Sequence, residues 1–148
     1  ANIMLQDVAG EPYHVRLVDF GLAKFVDDGG STQLLAGTPT YMAPEQAVGR
    51  DIGPWTDVYA VAVMACQMLS RRSPFAGRTH EEILLEKMQP DRDPLVNLPP
   101  DVLRGGVRAV LRTAMACEPS ARHQTAGALR DALEAALMRP RDAPCRRS

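Results

Sequence analysis

Cysteine is scarce in this sequence. Cys66, Cys117 and Cys145 stand far apart, two of them inside apolar stretches, which excludes a disulfide framework or a thiolate metal cluster and suits a reducing, cytoplasmic setting. Histidine is as sparse: His14, His80 and His123 offer no helical His-x-x-x-His pairing, so no bound transition metal is expected. An excess of charge of one sign is also lacking. The 17 basic and 18 acidic residues leave a formal net charge of -1, so no global field draws the chain to nucleic acid or to an anionic membrane. The longest apolar run, residues 58–66 extended by Met68 and Leu69, falls well short of the ~20 residues of a membrane span and reads as a buried helix. Residues 1–5 have neither the charged start nor the apolar length of a signal peptide, and a first residue Ala1 rather than Met is the mark of a cut terminus. Lysine is almost absent: Lys24 and Lys87 apart, the basic residues are arginines, and with abundant alanine this points to a GC-rich source more than to a role. No internal repeat is evident.

What is present suits one globular domain: 148 residues, 45% hydrophobic and 24% charged, are enough to bury a core. Ile3-Met4-Leu5 and Val15-Arg16-Leu17-Val18 are strand-like runs separated by a polar stretch with Gly10 and Pro12, the signal of a hairpin with a longer loop. An antiparallel pairing puts Asn2, which enters the first strand, beside Asp19, which leaves the second. Residues 22–37 hold no period, and Asp27, Asp28, Gly29, Gly30, Ser31 and Thr32 have loop composition, so this is a mobile segment. Beyond Thr56 the pattern is helical, and the run 58–66, apolar on every face, predicts a helix in the middle of the core.

Three more helices follow. Thr79 with Glu82 makes a capping-box start for a helix through about Met88, which Pro90 ends. A further helix is expected over about 101–116, with Leu103, Val107, Val110, Leu111 and Ala114 on one face and a first turn weakened by Gly105-Gly106. The last carries Leu129, Ala132, Leu133, Ala136 and Leu137 at helical spacing after a cap at Thr125. Residues 139–148 lose periodicity and set Arg139, Arg141, Arg146 and Arg147 against Asp142, as a basic tail or linker does; a basic juxtamembrane stretch is the alternative. The expected fold class is mainly α with a short β-hairpin.

Leu17-Val18-Asp19-Phe20-Gly21-Leu22-Ala23 runs strand, carboxylate, aromatic and glycine, the order of an Asp-Phe-Gly motif. Alone it is equally a strand ending in a turn. Its company raises it: Gly37-Thr38-Pro39-Thr40-Tyr41-Met42-Ala43-Pro44-Glu45 follows at the distance of an activation segment and contains Ala-Pro-Glu. Ala1-Asn2-Ile3-Met4-Leu5 looks like the end of a catalytic loop, Asp57-Val58-Tyr59-Ala60 like the start of a central helix, and Glu118-Pro119-x-x-Arg122 like the segment before a last helix. With these elements in order over nearly the whole chain, the sequence resembles the eukaryotic-type (Hanks-type) serine/threonine protein kinases, and Gly37 to Gln46 is most like the bacterial members.

The resemblance implies the C-terminal lobe of the α+β protein-kinase-like fold, truncated at its N-terminus, over residues 1–138. It implies ATP-dependent phosphoryl transfer to protein serine or threonine, with ATP and Mg²⁺ as cofactors, protein substrates as partners, and an N-terminal lobe of the same polypeptide that is missing here. Asn2 and Asp19 take the places of the metal and cofactor ligands, hard oxygen donors of the kind Mg²⁺ requires. Thr38 stands where serine/threonine kinases hold a substrate-loop hydroxyl that contacts the catalytic aspartate and lysine, and where tyrosine kinases usually place proline. Glu45 and Arg122 match a pair the family buries as a salt bridge, and Asp57 a residue that accepts hydrogen bonds from the catalytic-loop backbone. Ser31 and Thr32 are the expected activating phosphorylation sites, since Leu34 occupies the position, four residues before Thr38, where many eukaryotic members carry their threonine. Three departures bear on stability rather than chemistry: Ala62 for glycine, Gln67 for glutamate and His123 for proline. An extra methyl at Ala62, if unrelieved, would cost ~1–3 kcal/mol.

The catalytic base of H-R-D-x-x-x-x-N falls before Ala1. No Gly-x-Gly-x-x-Gly occurs, and neither Lys24 nor Lys87 sits where a strand lysine could pair the phosphates. The family also packs a long helix, encoded before the catalytic loop, against its central helix, and its loss should expose apolar surface. The 148-residue chain alone is therefore expected to be inactive. The alternative to a kinase is a pseudokinase lobe that serves as a binding scaffold. No nucleic acid is expected as a partner and no membrane span within this chain, while an anchor elsewhere in a longer parent stays compatible.

Overall fold

The computed structural model describes residues 3–8, 11–17, 40–103 and 105–138. They belong to two compact units, Ala1–Thr38 and Pro39–Ser148. In the first, β1 (Ile3–Val8) and β2 (Glu11–Leu17) pair antiparallel, with Ile3 opposite Leu17 and Leu5 opposite Val15. Both strands run further toward the turn than their apolar centres suggest, so Pro12, expected in the loop, lies within β2. The register shifts there: between the pairs Gln6↔His14 and Val8↔Glu11, Pro12 and Tyr13 face Asp7 alone, and Tyr13 adopts φ 70°. Proline has no N–H to give a ladder, and the bulge removes the demand for one.

The second unit is helical: α1 (Pro44–Ala47), α2 (Pro54–Ser70), α3 (His80–Lys87), α4 (Gly105–Ala114), a 3-10 turn (Pro119–Ala121) and α5 (Ala126–Met138). Pro54 starts α2 at the position where a missing N–H costs nothing. Arg71 ends it in the left-handed region at φ 56°, donating its N–H to the Gln67 carbonyl at 2.8 Å. Val58, Tyr59, Ala62, Val63 and Cys66 of α2 form the middle of the core, packed among Phe75, Leu95, Leu98, Leu103, Leu111, Met115 and Leu129. The Ala62 methyl, the extra carbon noted above, lies in that core fully buried. The opposite side of α2 is open. Val61, Met68 and Leu69 are 41%, 77% and 54% exposed, so the helix is central on one side rather than enclosed on every face.

The Thr79 hydroxyl accepts from the Glu82 N–H at 3.2 Å, and the Glu82 carboxylate accepts from the Thr79 N–H at 3.3 Å, the reciprocal cap that starts α3. Gly77 precedes it because a Cβ there would stand 2.7 Å from the backbone nitrogen of Ile83. α4 begins at Gly105, later than the apolar pattern suggests, and residues 100–102 form a turn ahead of it. Gly106 is demanded by packing: a Cβ at that point would meet the Ala136 methyl of α5 at 3.1 Å. α5 follows Thr125, whose hydroxyl accepts from the Ala128 N–H at 3.1 Å. Among the described residues no helix is long and apolar enough to cross a membrane.

Candidate functional site

The Ala-Pro-Glu segment ends at a buried carboxylate. Glu45, in the first turn of α1, and Arg122, just after the 3-10 turn, meet as a two-pronged pair, Nη1 to Oε1 and Nη2 to Oε2, both at 2.8 Å. Their side chains are 1% and 0% exposed. Charge can be buried here because each donor and acceptor is used. Arg122 Nε donates to the Ala116 carbonyl at 2.8 Å, Nη2 also to Cys117 at 2.9 Å, and Nη1 also to Trp55 at 3.3 Å. These bonds occupy all the guanidinium N–H groups. Thr56 of α2 donates its hydroxyl to Glu45 Oε1 at 2.8 Å while accepting the Gly53 N–H at 3.2 Å. Burial alone would push the Glu45 carboxyl up, but hydrogen bonds from Arg122, its own backbone and Thr56, with the guanidinium charge, hold it below the usual range.

A second buried cation reaches the same segment nearer its start. Lys87, at the end of α3, is 4% exposed and donates from Nζ to the carbonyls of Thr40 at 2.8 Å and Met42 at 2.6 Å. Its ammonium lies over Phe75, 4.6 Å from the ring centroid, and 5.4 Å from that of Tyr59. Arg122 is stacked on the same Tyr59 ring at 4.8 Å. Between the two anchors, the Tyr41 hydroxyl donates to Gln67 of α2 at 2.8 Å, and Gln46 Oε1 accepts the Ala43 N–H at 2.9 Å. Residues 40–46, an irregular stretch leading into one short helical turn, are thus held by side chains from three surrounding elements.

Burial pulls the Lys87 ammonium down to about 7. Glu86, paired with Arg92 at 2.9 Å, and Tyr59 and Cys117 line a cavity of about 10 Å³ beside it. The unfolded chain, with lysine in its ordinary range, binds this proton more tightly than the folded one, so stability rises as pH climbs above about 7. The rise, up to ~1.4 kcal/mol per pH unit, should show in urea unfolding between pH 7 and 8.5 and be missing from Lys87→Met. Above that window Cys66 opposes it: burial pushes its thiol up to about 12, and the thiolate gained only on unfolding lowers stability. A pH slope equal in the two proteins would refute the assignment.

Of the residues singled out in the sequence, Glu45 and Arg122 are brought together and Asp57 is placed in the first turn of α2, exposed and with no side-chain hydrogen bond to another described residue. Asn2, Asp19, Ser31, Thr32 and Thr38 lie outside the described residues, as does the 139–148 segment. Lys87, Tyr59 and Thr56 went unnoticed as site residues. The sequence does carry one signal for Lys87, one of two lysines in a chain whose other basic residues are arginines.

Known proteins resemble this chain in sequence and in fold. Residues 1–130 match a family model described as the protein kinase domain. The chain is 37% identical over 123 residues to the serine/threonine-protein kinase PknA of Mycobacterium tuberculosis, covering 82% of this chain and 28% of that protein. It is 33% identical over 140 residues to the serine/threonine-protein kinase Pkn1 of Myxococcus xanthus, covering 92% and 20%. It therefore spans well under a third of these curated relatives. Among solved structures, the twitchin kinase region from C. elegans superposes with a TM-score of 0.61 at 29% identity, over 88% of this chain and 22% of that one. A family model matched along nearly the full length, bacterial relatives of this similarity and the buried Glu45–Arg122 pair lead to one assignment: the chain belongs to the protein kinase family, in the company of its bacterial serine/threonine members.

Proposed function

We propose that this chain is the substrate-binding part of a serine/threonine protein kinase that transfers phosphoryl groups from ATP to protein hydroxyls. The observation that carries the reading is the kinase-domain match over residues 1–130, supported by relatives named as serine/threonine kinases. The donor set fits the cofactor. Asp19 offers a carboxylate and Asn2 an amide oxygen, the hard ligands of a cation that takes one or two carboxylates from protein and keeps its waters. Mg²⁺, when bound with ATP, neutralises charge on the phosphates. Of the chain's own residues, Thr38 is the one proposed to offer the substrate-loop hydroxyl, and Lys87 and Arg122 fix segment 40–46 that follows it in sequence. A pseudokinase scaffold is less favoured, since a lobe that only binds partners has no use for both metal ligands.

The test is an intact kinase polypeptide carrying this chain, incubated with labelled ATP, Mg²⁺ and a general protein substrate. Phosphoserine and phosphothreonine without phosphotyrosine are expected; ATP binding with no transfer would favour the scaffold. In the same polypeptide, phosphopeptide mapping should find autophosphorylation at Ser31 or Thr32, where a phosphate could order the segment through charge-assisted bonds to arginine. The Ser31→Ala/Thr32→Ala double variant should then lose about tenfold or more in activity. Phosphate confined to Thr38 or Thr40, or full activity of the double variant, would exclude these sites.

A further inference from the structure

We infer that Lys87 is a positioning residue through which α3 sets the backbone of segment 40–42, and with it the affinity for the protein substrate. The inference rests on the kinase reading for its last step only.

Helix α3 is attached lightly: Lys87 is its one fully buried residue, Ile83 packs partly buried against the core, and His80, Glu81, Glu82 and Leu85 are exposed. A helix normally docks through an apolar stripe. This one turns Ile83 toward the core and adds a cation, set against the Phe75 ring and bonded to two carbonyls two residues apart. A single rotatable ammonium can satisfy both carbonyls from one atom, whereas the planar fork of arginine presents its donors in a fixed plane. That is a reason for lysine at this position in an arginine-rich chain. Neutral or charged, the amine keeps enough N–H groups for both bonds, so the link persists across the neutral range. The carbonyls of Thr40 and Met42 lie two and four residues after Thr38 in sequence, and this short stretch of chain is the inferred route from α3 to the substrate loop. Arg122 fixes the far end of the same stretch at Glu45, leaving Lys87 as the anchor nearer the site.

Lys87→Met tests this, because methionine keeps the aliphatic stem and removes the donors. In the 148-residue chain, hydrogen–deuterium exchange at the amides of 40–46 should rise about tenfold, while α4 and α5 exchange as in the wild type. Unchanged exchange in 40–46, or a rise spread over all helices, would overturn the link. In the intact kinase polypeptide the KM for a peptide substrate should rise about tenfold with the KM for ATP within twofold; parallel changes in both, or none, would overturn the positioning role. Should Lys87→Met fail to give a folded circular-dichroism spectrum, Lys87→Arg decides. Keeping charge and donors in the wrong geometry, it should raise the peptide KM several-fold and leave that for ATP unmoved, and no change in either would again overturn the role. Absence of transfer by the wild-type polypeptide, with the exchange difference intact, would count against the kinase reading and leave the link between α3 and segment 40–42 standing.

Discussion

Arg122→Met lowers the unfolding free energy of the 148-residue chain by about 3–5 kcal/mol. The guanidinium is fully buried and makes bonds to Glu45, Ala116, Cys117 and Trp55; its loss leaves the Glu45 carboxylate buried without its counter-ion, supported only by Thr56 and its own backbone, and takes a donor from three carbonyls. Removing one member of a buried pair costs far more than the pair contributes, since the remaining charge has been taken out of water for nothing. The double variant Glu45→Gln/Arg122→Met should therefore recover at least about 1 kcal/mol of what the single change loses. Guanidinium unfolding followed by circular dichroism measures both. A loss below about 1 kcal/mol for Arg122→Met would show that the pair is open to solvent. With domain stabilities of roughly 5–15 kcal/mol, the expected loss brings a chain of this size close to unfolding.

In an intact kinase polypeptide, Asp19→Asn should cut phosphoryl transfer by roughly 10²–10³-fold, the scale of losing one electrostatic stabiliser of a transition state. The substitution keeps size and hydrogen-bonding capacity but removes the negative charge from the proposed metal site. Isothermal titration of ATP with and without Mg²⁺ separates the causes: the Mg²⁺-dependent part of nucleotide binding should weaken, while the thermal midpoint of unfolding moves by no more than about 2 °C. Turnover within a few-fold of the wild type would rule Asp19 out as a metal ligand.

Local signals in the sequence were read well where one residue settles one atom. Thr79 and Glu82 announced the start of α3, and Thr125 that of α5, because a cap is a short-range hydrogen bond between neighbours. The weak points were long-range. Gly105-Gly106 looked like a defect in a helix that should begin near 101; the structure starts α4 there, and Gly106 answers to Ala136, thirty residues away, which no local pattern reveals. The run 58–66 declared a central helix but could not say which side lies open, since apolar residues on all faces erase the periodicity that would tell. The Glu45–Arg122 pair was legible only through family resemblance: nothing in the spacing of two residues 77 apart predicts that they meet. Lys87 gives no local sign of its burial, because lysine is seldom buried, yet it is the most covered residue of α3.

The same separation of 77 residues gives the Glu45–Arg122 contact a topological meaning. Together the two side chains close a ring of chain that contains the whole of α2, α3 and α4. Closing a flexible loop of that length costs ~4 kcal/mol in chain entropy, a term that grows only as the logarithm of loop length. A disulfide at this position would carry that cost into the unfolded state; an ion pair, absent when the chain is unfolded, leaves the whole of it to be met on folding. The packing of the helices inside the ring offsets that cost, because it brings the two ends into register.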